Sequence, residues 1–243
     1  MRAIIQAGGK GQRLLPYTRV LPKPLLPVAD LPIIEIVIRQ LVQQGFDSIT
    51  ISVGHLANLI RAVVESRHDW SVEITFVEEE RPLGTIGPVT LLEDVDEPFL
   101  VMNGDILTDF DAGRFLAAHI ACGGQLSVAT YRKIVPISLG VFDLDHDGRV
   151  SGFREKPTLQ FACSMGIYAF SPEILEYIPR AAQFGFDDLM ELCLARGLEV
   201  RTQHHDGFWL DIGRHEDYEA ATDQFLEHRD RLLTTHAYAT NGH

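Results

Sequence analysis

Cysteine is scarce: Cys122, Cys163 and Cys193 form no CxxC pair and are odd in number. This excludes a disulfide framework and a zinc knuckle, and predicts idle thiols in a reducing compartment. Long apolar runs are also missing. None approaches the ~18 residues of a membrane span, and the opening Met1-Arg2-Ala3-Ile4-Ile5-Gln6-Ala7-Gly8-Gly9 breaks off too early for a signal peptide. A cytoplasmic protein with no membrane partner is the expectation. Basic residues are outnumbered, 21 Lys and Arg against 34 Asp and Glu, giving a net charge of −13. Such a chain repels a nucleic-acid backbone, so no nucleic-acid partner is expected. The sequence has no internal repeat, low-complexity stretch or interdomain linker.

The 243 residues, 46% of them hydrophobic and 23% charged, can bury one large core. Ala3-Ile4-Ile5 reads as a buried strand entering a glycine-rich loop. Asp30 is placed to N-cap a helix in which Ile33, Ile34, Val37, Ile38, Leu41 and Val42 form an apolar face ending at Gly45. Strands follow at 48–53 and 72–77, and helices at 56–66 and 87–93. This βαβ rhythm predicts a parallel sheet covered on both faces. Phe99-Leu100-Val101-Met102 reads as a central strand whose carboxyl end carries Asp105, at the edge where open α/β sheets bind ligands. From about residue 125 the pattern turns β-like, at 126–131, 139–143 and 149–155, with Asp145-His146-Asp147-Gly148 as a hairpin turn. Helices at 186–196 and 215–228 close the chain. The expected fold is therefore α/β, a Rossmann-like open, mixed but mostly parallel sheet with helices on both faces and a small β lobe. It forms one domain over 1–233, in two parts that divide at about 124. The tail 234–243 lacks an apolar period and is expected to fray.

Between Gly8 and Ala29 stand four cations, Lys10, Arg13, Arg19 and Lys23, and no acid, in a chain that is otherwise acidic. Glycines after a strand let backbone N–H groups approach phosphate oxygens, while Arg and Lys supply charge to a polyanion. Neither common phosphate loop fits. No GKS/T closes the segment, and Arg13-Leu14 stands where a dinucleotide fold needs its third glycine.

Ala7-Gly8-Gly9-Lys10-Gly11-Gln12-Arg13-Leu14, Pro16-Tyr17-Thr18 and Pro22-Lys23-Pro24-Leu25-Leu26-Pro27 resemble the opening of the sugar-phosphate nucleotidylyltransferase family, AGGxGTRLxPxTxxxPKPxxP. Gln12 replaces the usual threonine, which removes a hydroxyl contact and leaves the backbone cradle. The resemblance runs from Arg2 to about Tyr218 and implies a nucleotide-binding part over about 1–124 and a sugar-phosphate-binding part over about 125–233 that includes a small sugar-binding β lobe. Pro82-Leu83-Gly84-Thr85 resembles the family's base loop, Asn103-Gly104-Asp105 its metal-bearing strand end and Phe153-Arg154-Glu155-Lys156-Pro157 its sugar-phosphate loop. Gly166-Ile167-Tyr168-Ala169-Phe170 is similar to the strand under the sugar, and Trp209-Leu210-Asp211-Ile212-Gly213 to a late loop with a second acid.

The resemblance implies attack of a sugar-1-phosphate oxygen on the α-phosphorus of a nucleoside triphosphate, with loss of pyrophosphate. A phosphate monoester is mostly dianionic at neutral pH, since its second pKa is about 6. No general base is needed; cations, a metal and positioning are. Arg13 and Lys23 are expected on the triphosphate and Lys156 on the attacking phosphate, as the catalytic cations. Ala7, Gly8, Gly9, Gly11, Glu79, Gly84 and Thr85 are the expected nucleotide-binding residues. Gly140, Glu155 and Ser164 are those for the sugar, Ser164 standing where the family usually has asparagine. Asp105 and Asp211 are expected to hold Mg²⁺, with Asp217 in reserve. His204 and His205 beside Asp206 read as a solvated strand end, because no nucleophile motif accompanies them.

Where uridylyl- and thymidylyl-transferring relatives tend to carry glutamine, this chain has Glu79, an acceptor suited to the N1–H and amino group of guanine. With Pro82-Leu83-Gly84-Thr85, this favours GTP, with mannose- or heptose-1-phosphate as acceptor; UTP and dTTP stay open. A catalytically silent nucleotide-sugar sensor is the alternative class, and retention of Asp105, Asp211, Arg13, Lys23 and Lys156 speaks against it. Nothing fixes the number of subunits, and a homo-oligomer remains open.

Overall fold

The computed structural model describes residues 1–233, so the expected fraying of 234–243 lies outside the described residues. In chain order the strands and helices are β1 (Arg2–Gln6), β2 (Pro27–Val28), β3 (Leu31–Pro32), α1 (Ile33–Gln43), β4 (Ser48–Val53), α2 (Ala57–Glu65), β5 (Glu73–Glu78), β6 (Phe99–Asn103), β7 (Ile106–Thr108), α3 (Ala112–Cys122), β8 (Leu126–Pro136), β9 (Val141–Leu144), β10 (Val150–Arg154), β11 (Thr158–Phe170), α4 (Phe186–Arg196), β12 (Val200–His205), β13 (Trp209–Asp211) and α5 (His215–Leu232).

Seven strands form one sheet in the order β12-β8-β11-β6-β1-β4-β5. Strands β6, β1, β4 and β5 run parallel, β11 lies antiparallel between β6 and β8, and β12 returns parallel to β8. The sheet is thus open and mixed, as the sequence predicts. Alternation along each strand splits the core between two faces. Ala3, Ile5, Ile49, Ile51, Leu100 and Met102 pack on one side with α1, α2, α3 and α5. Ile4, Phe99, Val101, Tyr168 and Phe170 pack on the other with Ile86, Val89, Leu189 and Cys193. Beyond the main sheet, β9 and β10 form a separate antiparallel hairpin, in which Phe142 lies opposite Phe153. No helix among the described residues is long and apolar enough to cross a membrane.

Four expectations need correction. Asp30 does not cap α1: its carboxylate takes two hydrogen bonds from the Arg229 guanidinium, at 2.9 and 3.1 Å, and Pro32 occupies the cap position without a side-chain bond. The helix expected over 87–93 is a 3₁₀ turn at Gly87–Leu91, closing through Val89 N–H to Ile86 O. Pro88 removes one donor there, and the Gly87 backbone lies so close to the Ala182 carbonyl that a Cβ would sit 2.6 Å from it. Helix α3 has no counterpart in the sequence reading. Asp111 caps it by accepting from Arg114 N–H at 2.8 Å, and Gly123 ends it at φ 65°. Its buried stripe ends on His119, which bridges the Ser127 and Ser171 hydroxyls; burial pushes this imidazole below its usual pKa. Finally, only His204 is a strand-end group beside Asp206. His205 is mostly shielded, pairs with Asp109 at 2.9 Å and packs its ring edge-on to Phe110.

Candidate active site

The loop after β1 is tied down by small, specific contacts. Ala7 N–H continues the sheet by donating to Ser52 O, so it is engaged within the protein. Gly8 passes between Gly54 and Glu79: a Cβ on it would lie 2.0 Å from Glu79 Oε1. Gly11 is left-handed, at φ 58°, and a Cβ there would lie 2.8 Å from Thr18 Cγ2, whose hydroxyl donates to Gly11 O at 2.8 Å. Among the described residues, the N–H groups of Gly9, Lys10 and Gly11 donate to no backbone carbonyl. They are available for an anion.

This loop walls a cavity of about 770 Å³ at the carboxyl edge of the sheet. The cavity gathers Ala7, Gly8, Gly9, Gly11, Arg13, Lys23, Glu79, Gly84, Thr85 and Asp105 of the expected residues. Its far wall is the turn after β5. Gly84 adopts φ 80° with its Cα against the Phe184 carbonyl, where a Cβ would stand 2.6 Å away. Phe184 N–H donates to Leu83 O and Phe186 N–H to Thr85 Oγ1, so the start of α4 holds this turn. Glu79 accepts from the buried Ser52 hydroxyl at 3.0 Å and from Leu83 N–H at 2.9 Å. Its carboxylate therefore braces the turn as well as lining the cavity.

Asp105 and Asp211 come together because β7 and β13 pair, Asp211 opposite Ile106, and Ile212 N–H donates to Asp105 O. The Lys23 ammonium hydrogen-bonds Asp105 Oδ2 and stands 3.9 Å from Asp211 Oδ1. Asp105 Oδ1 is buried without a partner. Burial and then the Asp105 charge push the Asp211 carboxyl above its usual pKa, opposed by Lys23 and Arg13. Gly213 lies against both groups: a Cβ there would stand 3.1 Å from Asp211 Oδ2 and in ordinary contact, at 3.4 Å, with the two terminal nitrogens of Arg13. Two carboxylates with an orphaned oxygen between cations are a hard-oxygen donor set suited to a divalent cation. Asp217 is engaged elsewhere, accepting from Arg214 N–H at the start of α5. Among the described residues no group of three or more His, Cys, Asp or Glu side chains forms a larger metal cluster.

Of the expected residues, Asp211 is not among those lining the cavity, though it lies beside Lys23; Gly140, Glu155, Lys156 and Ser164 do not line it either and lie along the β8–β11 lobe. A Cβ on Gly140 would lie 2.7 Å from the Phe153 ring and 3.0 Å from Glu155 Oε2, so these three residues are neighbours. Lys156 has a left-handed backbone, φ 44°. Ser164 occupies a register shift in β11: its hydroxyl accepts from Gly166 N–H and donates to Tyr168 OH, both at 3.2 Å. Burial raises the Tyr168 pKa and keeps the phenol protonated.

Lys10, Gln12, Asn103 and Gly213, which the sequence places in motifs without a site role of their own, and Gln6, His55 and Arg81, which it does not single out, also line the cavity. For Gln6 and Asn103 a signal existed: each is a polar residue ending an apolar strand at the binding edge. His55, held by Thr18 O, had none.

The candidate site thus sets a glycine loop, cations and an acid pair at the carboxyl edge of an open α/β sheet. The family model for nucleotidyl transferases matches residues 2–228. A Synechocystis UTP–glucose-1-phosphate uridylyltransferase is 32% identical over 90% of this chain and 61% of its own length. Arabidopsis mannose-1-phosphate guanylyltransferase 1 is 32% identical over 90% of this chain and 63% of its own. HddC from Yersinia pseudotuberculosis, solved with GMP-PN, superposes with a TM-score of 0.70 at 25% identity, covering 92% of this chain and 99% of that one. The chain belongs to the sugar-phosphate nucleotidylyltransferase family. It spans about three-fifths of the length of these two sequence relatives.

Proposed function

We propose that this protein transfers a nucleotidyl group from a nucleoside triphosphate, GTP in preference, to mannose- or heptose-1-phosphate, releasing pyrophosphate and an NDP-sugar. The observation that carries the reading is the cavity lined by Arg13, Lys23, Asp105 and loop N–H groups that bond no backbone carbonyl, with Asp211 3.9 Å from the Lys23 ammonium. Such a site suits a triphosphate whose α-phosphorus is attacked in line. The attacking oxygen belongs to a phosphate that is already dianionic near neutral pH, its second pKa being about 6. The chain's task is to neutralise and align two polyanions.

In this reading the backbone of Gly9 to Gly11 cradles the triphosphate, and Arg13 takes two phosphate oxygens with its planar guanidinium. Lys23 places a charge on the departing pyrophosphate from its seat beside Asp105. Lys156 grips the sugar phosphate, while Glu155 accepts from a sugar hydroxyl above Gly140 and Ser164. Asp105 and Asp211 would hold Mg²⁺, which when bound supplies positive charge to phosphate oxygens. Glu79, accepting only, favours the N–H groups of guanine. Support for GTP comes from the guanylyltransferase relative and the GMP-PN-bound neighbour. A UTP or dTTP enzyme is the second reading, favoured by the uridylyltransferase relative.

The test is pyrophosphate release with Mg²⁺ from GTP, UTP, dTTP, CTP and ATP against a panel of sugar-1-phosphates, beside Asp105→Asn. Release that needs both substrates and falls at least about a hundredfold in the variant is expected. Turnover of UTP or dTTP alone would remove the GTP assignment and keep the reaction. Tight binding of a nucleotide sugar without release from any pair would make the protein a sensor.

A further inference from the structure

We propose that Gln6 reads the nucleobase, its carboxamide donating a hydrogen bond to the ring carbonyl of an oxo base while Glu79 accepts from the adjacent ring N–H. This rests on the cavity being a nucleotide site. It adds a side chain to which the family motif gives no role, and it is argued from the register of the sheet. Gln6 is the last residue of β1 and stands opposite Ser52 on β4 and Asn103 on β6. Paired residues on neighbouring strands project to the same face. For Gln6 this is the face of Ile4, covered by Ile86 and Val89 just beyond the turn at Gly84. Ser52, Gln6 and Asn103 therefore make a polar row across three adjacent strands. At the next strand Gly166 leaves the room that Asn103 fills: a Cβ on Gly166 would stand 2.5 Å from Asn103 Nδ2.

The members of this row differ in how they are satisfied. The Ser52 hydroxyl is committed to Glu79, and both Glu79 oxygens already take protein donors. Gln6 lines the cavity, yet its Nε2 is shielded from water and has no hydrogen-bond partner. A strand end that buries an unmatched amide donor is costly for the free protein, and a ligand acceptor removes that cost. Glu79 cannot supply a donor, because a carboxylate only accepts. Gln6, in register with the Ser52 that holds Glu79, adds the donor of a donor and acceptor pair that matches the C=O and N–H edge of guanine, uracil or thymine. The amino-bearing edges of adenine and cytosine offer their hydrogen-bonding groups in the opposite order.

The test is calorimetric titration of the full chain and of Gln6→Met and Gln6→Glu, with GTP, UTP, dTTP, CTP, ATP and inorganic pyrophosphate in turn, in Mg²⁺. Met keeps the length and apolar packing of the stem; Glu keeps the shape and removes the donor. For whichever oxo nucleotide the unaltered protein binds most tightly, Kd should rise about tenfold in both variants, one lost hydrogen bond. The preference over ATP and CTP should narrow accordingly. Pyrophosphate has no base, so its Kd should stay within about twofold. Kd values for nucleotide and pyrophosphate that rise together, or nucleotide affinity that does not change, would overturn the assignment, as would a wild-type protein indifferent to oxo and amino bases. If either variant melts early, the other carries the comparison. A preference for UTP or dTTP over GTP would defeat the guanine reading while leaving Gln6 to be judged on that nucleotide.

Discussion

The turn at Gly84 and the hairpin lobe at Gly140 both use a glycine to let neighbours approach closely, yet they are built differently. At Gly84 the obstacle is backbone, the Phe184 carbonyl, and the residue itself is left-handed. At Gly140 the obstacles are side chains, the Phe153 ring and the Glu155 carboxylate. The surroundings differ in the same sense. The nucleotide wall is braced by Ser52, Glu79, Leu83, Thr85 and Phe186, whereas the β9–β10 hairpin exposes more than half of Phe142 and Phe153. A wall made of interlocked backbone tolerates little change; a lobe made of exposed side chains can adjust to its ligand.

The largest effect should therefore come from Gly84→Ala. A Cβ at a positive φ, pressed on a carbonyl 2.6 Å away, should cost about 2–4 kcal/mol in denaturant unfolding. KM for the nucleotide should rise at the same time. A wild-type unfolding midpoint in this variant would mean that the braced wall is softer than its contacts imply. Next in size is Asp211→Asn, which separates site chemistry from stability. The folded pKa of Asp211 is raised, so the unfolded chain releases its proton at lower pH than the native one. Native stability then falls as pH rises through the interval from 3.8 up to the folded value, and the cost persists at neutral pH. The metal-free variant should be the more stable at pH 7, by less than about 1 kcal/mol since the side chain is partly exposed, and the difference should vanish below the unfolded value of 3.8. Activity should be lost despite that gain. A variant destabilised at pH 7 would refute the claim that this carboxylate is held at a cost.

Gly140→Ala sets the lobe against the wall directly. The Phe153 ring is free to swing outward, so the unfolding free energy should change by less than about 1 kcal/mol. KM for the sugar phosphate should rise severalfold with KM for the nucleotide unchanged. Equal changes in the two constants would erase the distinction between the regions.

What the sequence disclosed follows the same division. Strands β1 and β6 were evident because they are apolar runs with glycine or an acid beyond their ends, β4 because it alternates Ser and Thr with Ile and Val up to Gly54, and the glycine loop because its charge inverts that of the chain. Helix α3 was hidden: its stripe of Ala112, Phe115 and Leu116 ends on His119, a residue that reads as polar until Ser127 on β8 and Ser171, just past β11, satisfy it. Asp30 was misread because its true partner, Arg229, lies 199 positions away, and local capping rules cannot see it. At the site, glycines and cations announced themselves by type and spacing. The double engagement of Glu79 and the seat of Lys23 between two acids depend on how β4, β5, β7 and β13 are brought together, which one strand's pattern does not encode.

The smallest effect tests whether the two regions act as one body. Helix α5, from the far end of the chain, returns to the β2–β3 turn: Tyr218 OH donates to Pro27 O, Ala29 N–H to Thr222 Oγ1, and Arg229 grips Asp30. The Arg229 hydrogen bond lowers the Asp30 pKa. A depressed carboxylate adds stability that is present above the unfolded value of 3.8 and lost as pH falls through the folded one. Both side chains are well exposed, so Asp30→Ala should cost no more than about 0.5 kcal/mol at pH 7, less in high salt and nothing at pH 2. Unfolding should remain a single transition, because Tyr218, Thr222 and the buried Ala221 and Phe225 still hold the helix. Two resolved transitions in the variant would show that this exposed pair, rather than the apolar seam beneath it, couples α5 to the nucleotide wall.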